Sequence, residues 1–193
     1  MNRYNDAINI CLTTISESPV PQNTSITGHY EAELADTIID EALTEILSQG
    51  YQFNTDEDWD LVPDTSGNIA IPAGALAVDA TQTSSNYIVK NAKLYDKVAQ
   101  SYIFTTTVQA DVTWNIAFDD LHSIAQLLVV AKAKQKLYMR VVGVDDTYKV
   151  LSKEVEEATT TVRGEDIQSG DYSIFDDVST SRFKNRTQNP TAI

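Results

Sequence analysis

A single cysteine, Cys11, stands in 193 residues. Disulfide frameworks and thiolate metal clusters both need more than one, so neither is open to the chain. Cys11 falls on an apolar helical stripe, which predicts a small core residue. Long apolar runs are also missing. A membrane helix needs roughly 18 apolar residues in succession, and the longest run here, within residues 124–133, meets Lys132 and Lys134. The opening MNRYNDAINICL lacks the basic, apolar and small-residue order of a signal peptide. The expectation is a protein kept in a reducing, cytosolic setting until it assembles, with no membrane partner. His29 and His122 are the only histidines. Neither has an HExxH or His/Cys partner at metal-ligand spacing. GxSxG, GxxxxGK[ST] and GxGxxG are absent too, which leaves no nucleophile elbow and no phosphate cradle.

Positive charge is the most telling shortage. Between Arg3 and Lys90 there is no Lys or Arg, while the same interval carries 14 Asp and Glu. From Lys90 onward 13 basic residues nearly balance 14 acids, so the net charge of -14 arises almost wholly in the first half. Such a surface repels phosphates and excludes a conventional DNA-binding face. It suits a basic protein partner, or a surface past which DNA must move without sticking.

What is present reads as a globular protein. The hydrophobic fraction is 42% and the mean hydropathy -0.25. A chain of this length can bury about 70% of its unfolded surface without staples. Ala7, Ile8, Cys11, Leu12 and Ile15 mark a first helix over residues 4–16, ending in a loop with Pro19 and Pro21. A second helix spans residues 30–49 and stops at Gly50. Its apolar stripe comprises Leu34, Ile38, Ile39, Ala42, Leu43, Ile46 and Leu47. Short strands separated by turn signals are expected at 51–54, 59–63, 68–71, 76–79, 86–90, 93–96, 101–106 and 112–116. Helical spacing returns in Leu121, Ile124, Leu127, Leu128, Ala131, Gln135, Tyr138, Met139 and Val142, and Gly143 ends it. Asp145 or Asp146 can cap a fourth helix striped by Tyr148, Leu151, Val155, Ala158 and Val162. The order predicts an α+β chain, mainly α. Residues 1–50 and 118–164 would form a four-helix bundle, 51–117 a β-rich insertion and 165–193 a flexible tail.

The acids of NTDEDWD, residues 54–60, invite three readings. A calcium loop needs Gly at its sixth place and Glu at its twelfth. Starting at Asn54 those places hold Trp59 and Thr65, and starting at Asp56 they hold Leu61 and Gly67, so that reading fails. Glycosidase chemistry needs two carboxylates set apart in an enclosed site, and a linear acidic run offers no enclosure. A solvated acidic face remains, so no catalytic residue, metal or cofactor is expected. Lys132, Lys134 and Lys136 read as a solvated helix flank, with Lys132 and Lys136 on one face and Lys134 around from them. In the tail, Arg182, Phe183, Lys184 and Arg186 form a basic, aromatic segment suited to ordering on a partner.

Several pieces, in a shared order over residues 4–158, resemble the tail tubular protein A (head-to-tail adaptor) family of short-tailed bacteriophages. EALTEILSQGYQFNTDEDWDLVPDTSGNIAIPAGALAVD is similar to that family's helix end, glycine, aromatic–x–Phe–Asn and later Leu–x–Pro–Asp turn. NAKLYDK resembles its short strand after a turn, and FDDLHSIAQLLVVAKAKQKLYMRVVG its helix entered after an acidic pair. SESPV resembles the loop after its first helix. His122 departs from the proline expected there, which puts the entry of the third helix in question. The resemblance implies a structural virion protein of the head–tail junction, assembled in the host cytoplasm. It further implies a twelvefold ring that joins the portal protein to the nozzle (tail tubular protein B) and leaves a channel for DNA ejection. Contact with a tail fibre is also open. Asp56, Glu57, Asp58 and Asp60 are then candidates for the channel or the nozzle-facing rim. Phe175 with Arg182, Phe183, Lys184 and Arg186 are candidates for portal contact. Two other classes compete: a tail-associated polysaccharide hydrolase and a soluble monomeric interaction module.

Overall fold

The computed structural model describes residues 3–21, 24–80 and 87–169. Helix α1 (Arg3–Thr14) buries Ala7, Ile8, Cys11 and Leu12. It ends with Ser16 in the left-handed region (φ 65) and the Glu17 N–H donating to the Leu12 carbonyl at 3.0 Å. The following loop is held back on the helix by Asn9, whose side chain both donates to the Val20 carbonyl (3.0 Å) and accepts its N–H (2.8 Å). Helix α2 (Tyr30–Leu47) buries Ile38, Ile39, Ala42, Leu43, Ile46 and Leu47 along the expected stripe. Glu33 reaches back to accept the Gly28 N–H at 2.8 Å, satisfying one donor ahead of the helix.

A 3-10 turn at Gln52–Asn54 hands the chain to the sheet. Strands β1 (Thr55–Leu61), β2 (Ala75–Ala80) and β5 (Val108–Trp114) form an antiparallel sheet in the order β1-β5-β2. Strands β3 (Tyr87–Lys90) and β4 (Lys93–Asp96) make a separate hairpin. Its two-residue turn, Asn91 and Ala92, has φ 55 at both positions, the conformation whose twist matches the flanking strands. The expected strands at 68–71 and 101–106 are reduced to isolated bridges such as Asn68 with Ile103. Residues 52–54 are the 3-10 turn and not a strand. Leu61, Ile69, Leu94, Phe104, Val108 and Ala110 give the β region its own small core.

A second 3-10 turn at Phe118–Asp120 leads into α3 (Ser123–Val141), and α4 (Asp146–Ser169) closes the described chain. Asp145 caps α4, accepting the Tyr148 N–H at 2.9 Å and the Tyr138 hydroxyl at 2.8 Å. The four-helix bundle expected from the sequence does not form. Helices α1, α2 and α3 pack pairwise around one core, whereas α4 packs mainly along α3 and touches the first 3-10 turn. The cause is the uneven apolar content of the helices. On α3, Leu128, Val129, Val130 and Ala131 are buried in succession, so this helix is enclosed nearly all round and fills the space between its neighbours. Its phase also differs from the expectation, leaving Leu127 and Met139 exposed. Among the described side chains of α4 only Leu151 (7% exposed) and Val162 (1%) are buried, and one neighbour suffices to cover so thin a stripe.

Candidate functional site

The residue that sets the site is Asn54, 2% exposed at the seam between helices and sheet. Its Oδ1 accepts the Tyr51 N–H, and its Nδ2 donates to the carbonyls of Leu47 and Trp114, each at 2.9 Å. One side chain thus ties the end of α2, the 3-10 turn and the end of β5. Strand β1 departs from this seam as an edge strand of its sheet.

Two residues of β1 later the ladder slips. Asp56 lies opposite Val112 and Trp59 opposite Ala110, so Glu57 and Asp58 together face the single residue Asp111. This is a β-bulge, with Asp58 in the left-handed region (φ 52) and its N–H donating to Asp111 Oδ1 at 3.1 Å. Directly opposed residues share a sheet face, so the register sorts the acids. Asp56 goes with Trp59, Val112 and Trp114. It accepts the Trp114 Nε1–H at 2.8 Å, and the two indoles meet edge to face at 5.3 Å. Asp60, opposite Gln109, belongs to the other face with the bulge and Asp111. Asp79 of β2 stands directly opposite Asp111 on that same face. Of the four predicted acids, the structure therefore groups Glu57, Asp58 and Asp60, sets Asp56 apart, and adds Asp79 and Asp111.

Those last two escaped the sequence reading because nothing local distinguishes them. The signal was the period-two alternation of ADVTW, which fixes the face of Asp111 but not the strand beside it. Like charges directly opposed in a ladder are destabilising, so the Asp79–Asp111 pair is a cost the sheet carries. Among the described residues, no three His, Cys, Asp or Glu side chains are grouped to hold a metal ion. The predicted portal-contact residues Phe175, Arg182, Phe183, Lys184 and Arg186 lie outside the described residues.

Several other charged and titratable groups are occupied with structure. Lys132 and Lys136 of α3 both reach Glu45 of α2, at 3.1 and 2.6 Å, while Lys134 on another face pairs with Glu154 of α4. Hydrogen bonds from Lys136, and then Lys132, hold the Glu45 carboxyl below the usual range. Burial pushes the Cys11 thiol up to about 12, the state of an inert core residue. A cleft of about 530 Å3 lies beside Tyr4, Asp40, Ile116 and Phe118. There the Tyr4 hydroxyl donates to Asp40 at 3.0 Å, and burial followed by Asp36 raises its pKa well above the ordinary value, so it stays a neutral donor.

Two comparisons bear on identity. The family model described as "Tail tubular protein" matches residues 5–172. "Tail tubular protein A" of Klebsiella phage KP34 is 30% identical over 182 residues, covering 94% of this chain and 94% of that protein. The chain belongs to the tail tubular protein family. It is accordingly a structural component of a bacteriophage tail. In this tail tubular protein the segments that carried the resemblance have structural reasons. The aromatic–x–Phe–Asn stretch is the Asn54 seam, and the LYD strand is β4. At His122 the backbone is φ -66, ψ 154, preceded by Leu121 at φ -71, ψ 148. Those are the angles a proline and its predecessor would take, so α3 is entered regularly. The histidine ring instead meets Phe53 edge on at 4.7 Å and places Nε2 3.4 Å from Glu165 of α4.

Proposed function

We propose that this tail tubular protein is a head-to-tail adaptor. Twelve copies would form a ring joining the portal protein to the nozzle, tail tubular protein B, around an axial channel for DNA ejection. The observation that carries this reading is the 94% mutual coverage with a protein named tail tubular protein A. The acidic sheet face, Asp58, Asp60, Asp79 and Asp111 with Glu57 in the bulge, rims that channel. A passage for duplex DNA works best without phosphate-binding cations, because every neutralised phosphate adds affinity. The last helix, α4, lies toward the portal with the segment that follows it, and the β insertion, residues 51–117, extends toward the nozzle. The segment after α4, with Phe175 and the basic residues Arg182, Lys184 and Arg186 around Phe183, makes the portal contact.

The test is mass measurement of the 21.3 kDa chain alone and mixed with portal protein. The expected result is one high-mass ring with portal, whether or not the chain oligomerises by itself. A chain that stays monomeric with portal at high concentration would make it an interaction module instead. Turnover of capsular polysaccharide, abolished by single acid-to-amide changes, would make it a hydrolase. Deleting residues 171–193 without loss of portal binding would refute the portal contact assigned to that segment.

A further inference from the structure

We propose that the basic segment 182–186 clasps the open edge of strand β1 in its own chain until a partner takes it. The contact belongs to the single chain and holds whether or not a ring forms.

Strand β1 ends its sheet, paired with β5 on one side only, and Asp56, Glu57, Asp58, Trp59 and Asp60 are all exposed along it. An edge strand is a template for a further extended segment, which docks by lying alongside. The register makes this edge two-sided. One face carries Asp60 with Asp79 and Asp111, and the other carries Trp59, 42% exposed, with Trp114. Among the described residues, the Glu57, Asp60 and Asp79 side chains make no hydrogen bond or ion pair, so all three charges are open to an incoming cation. Asp79 and Asp111 repel each other across the ladder, a cost that a cation beside them relieves.

The chain's own segment is the occupant for three reasons. The first is its pattern. Successive side chains of an extended segment alternate, so Arg182, Lys184 and Arg186 fall on one side and Phe183 on the other. Laid beside β1, the segment sets three cations on the acidic face and its phenyl ring at Trp59. The second is where the described chain ends. Asp166, near the end of α4, accepts the Gln52 N–H at 2.7 Å, so α4 finishes beside the 3-10 turn that runs straight into β1. Residues 170–181 span up to about 40 Å when extended, and a strand the length of β1 covers only about 23 Å. The third is charge. No Asp or Glu follows Asp177, so the three cations find no acidic side chain within their own stretch.

With the clasp closed, acidic edge and basic segment neutralise each other and neither is offered to another protein. Capture of the segment by the portal, as proposed above, opens the clasp and bares the acidic face.

Trp59 and Trp114 are the only tryptophans, and both stand at this edge, so intrinsic emission of the full chain reports on it. At low salt, Arg182→Gln with Lys184→Gln and Arg186→Gln should raise acrylamide quenching by about half. Glu57→Lys with Asp60→Lys should do the same, and adding Arg182→Glu with Lys184→Glu to that pair should restore the wild-type value. All these positions are exposed or outside the described residues, and melting temperatures near wild type would confirm that the fold is kept. Carbodiimide treatment of the wild-type chain should join Lys184 to Glu57 or Asp60 within a monomeric band. Unchanged quenching in the variants, or Lys184 crosslinks confined to dimers and larger species, would overturn the clasp. A chain that crosslinks within itself but never assembles on portal would strike the ring reading and leave the clasp standing.

Discussion

Asn54 uses its carbonyl oxygen and both amide hydrogens on three backbone groups from three segments. Replacing it with Leu keeps the volume and strands those groups in a buried site. Each stranded group costs about 1–3 kcal/mol, so Asn54→Leu is expected to destabilise by about 3 kcal/mol or more in urea unfolding. Asn54→Asp should do no better, because a carboxylate donates nothing to the Leu47 and Trp114 carbonyls. Far from the acidic face, Glu45 offers a test of charge at single-residue resolution. Its folded pKa lies below the ordinary glutamate value of 4.5, held there chiefly by hydrogen bonds from Lys136 and then Lys132. A depressed carboxyl stabilises fully above its unfolded pKa and loses that contribution as pH falls through the folded value. Glu45→Gln should therefore lower the melting temperature at pH 7. The gap to wild type should close on acidification below 4.5, and a gap unchanged in strong acid would show that packing, not charge, joins α2 to α3 there.

At the scale of elements, structure is legible in the sequence where a pattern has one period and one partner. The stripe of α2 and the cap at Asp145 follow from spacing and turn chemistry and stand as expected. Helix α2 itself ends at Leu47 with Ser48 as its cap, short of the expected stop at Gly50, which takes φ 69 beyond it. The failures share a cause, since periodicity tells which face is apolar but not how many neighbours will cover it. Helix α3 is covered on several sides, which blurs its stripe and hid the exposure of Leu127. Helix α4 has a correct stripe, with Leu151 and Val162 buried and Tyr148, Val155 and Ala158 half-buried, yet it meets mainly one helix. The acidic face was half legible for a related reason: a run of acids shows in one strand, while Asp79 and Asp111 join it only through long-range register. The thin attachment of α4 has a measurable consequence. Leu151→Ala truncates one of the two buried side chains among the described residues of α4, at a cost of about 2–3 kcal/mol. Hydrogen exchange should quicken along α4 while the buried turns of α1 and α2 keep their protection. Equal loss of protection in all four helices would mean that α4 is part of a single cooperative bundle after all.

For the whole molecule, the distribution of charge matters more than its sum. The lysines of α3 are engaged by Glu45 and Glu154, so the helices neutralise their own bases internally. Glu57, Asp58, Asp60 and Asp79 lie in a stretch that carries no Lys or Arg between Arg3 and Lys90. Repeated around a ring, that face would present DNA with a wall of like charge and nothing to grip. Converting Asp58, Asp60 and Asp79 to Asn should leave that wall weakly repelling. Converting them to Lys should create phosphate contacts, each adding about 0.9 to the slope of log affinity against log salt. Rings of the Lys variant are expected to retain duplex DNA at low salt and release it steeply as salt rises, and virions carrying it should eject DNA more slowly. The wild-type and Asn rings should do neither. Folding is a weak confounder, because Asp79→Lys turns a repulsive cross-strand pair with Asp111 into an attractive one and should raise stability, not lower it. If the Lys variant ejects DNA normally while nozzle attachment fails, the bulged strand that began as a run of acids faces the next tail protein, and the channel wall lies elsewhere.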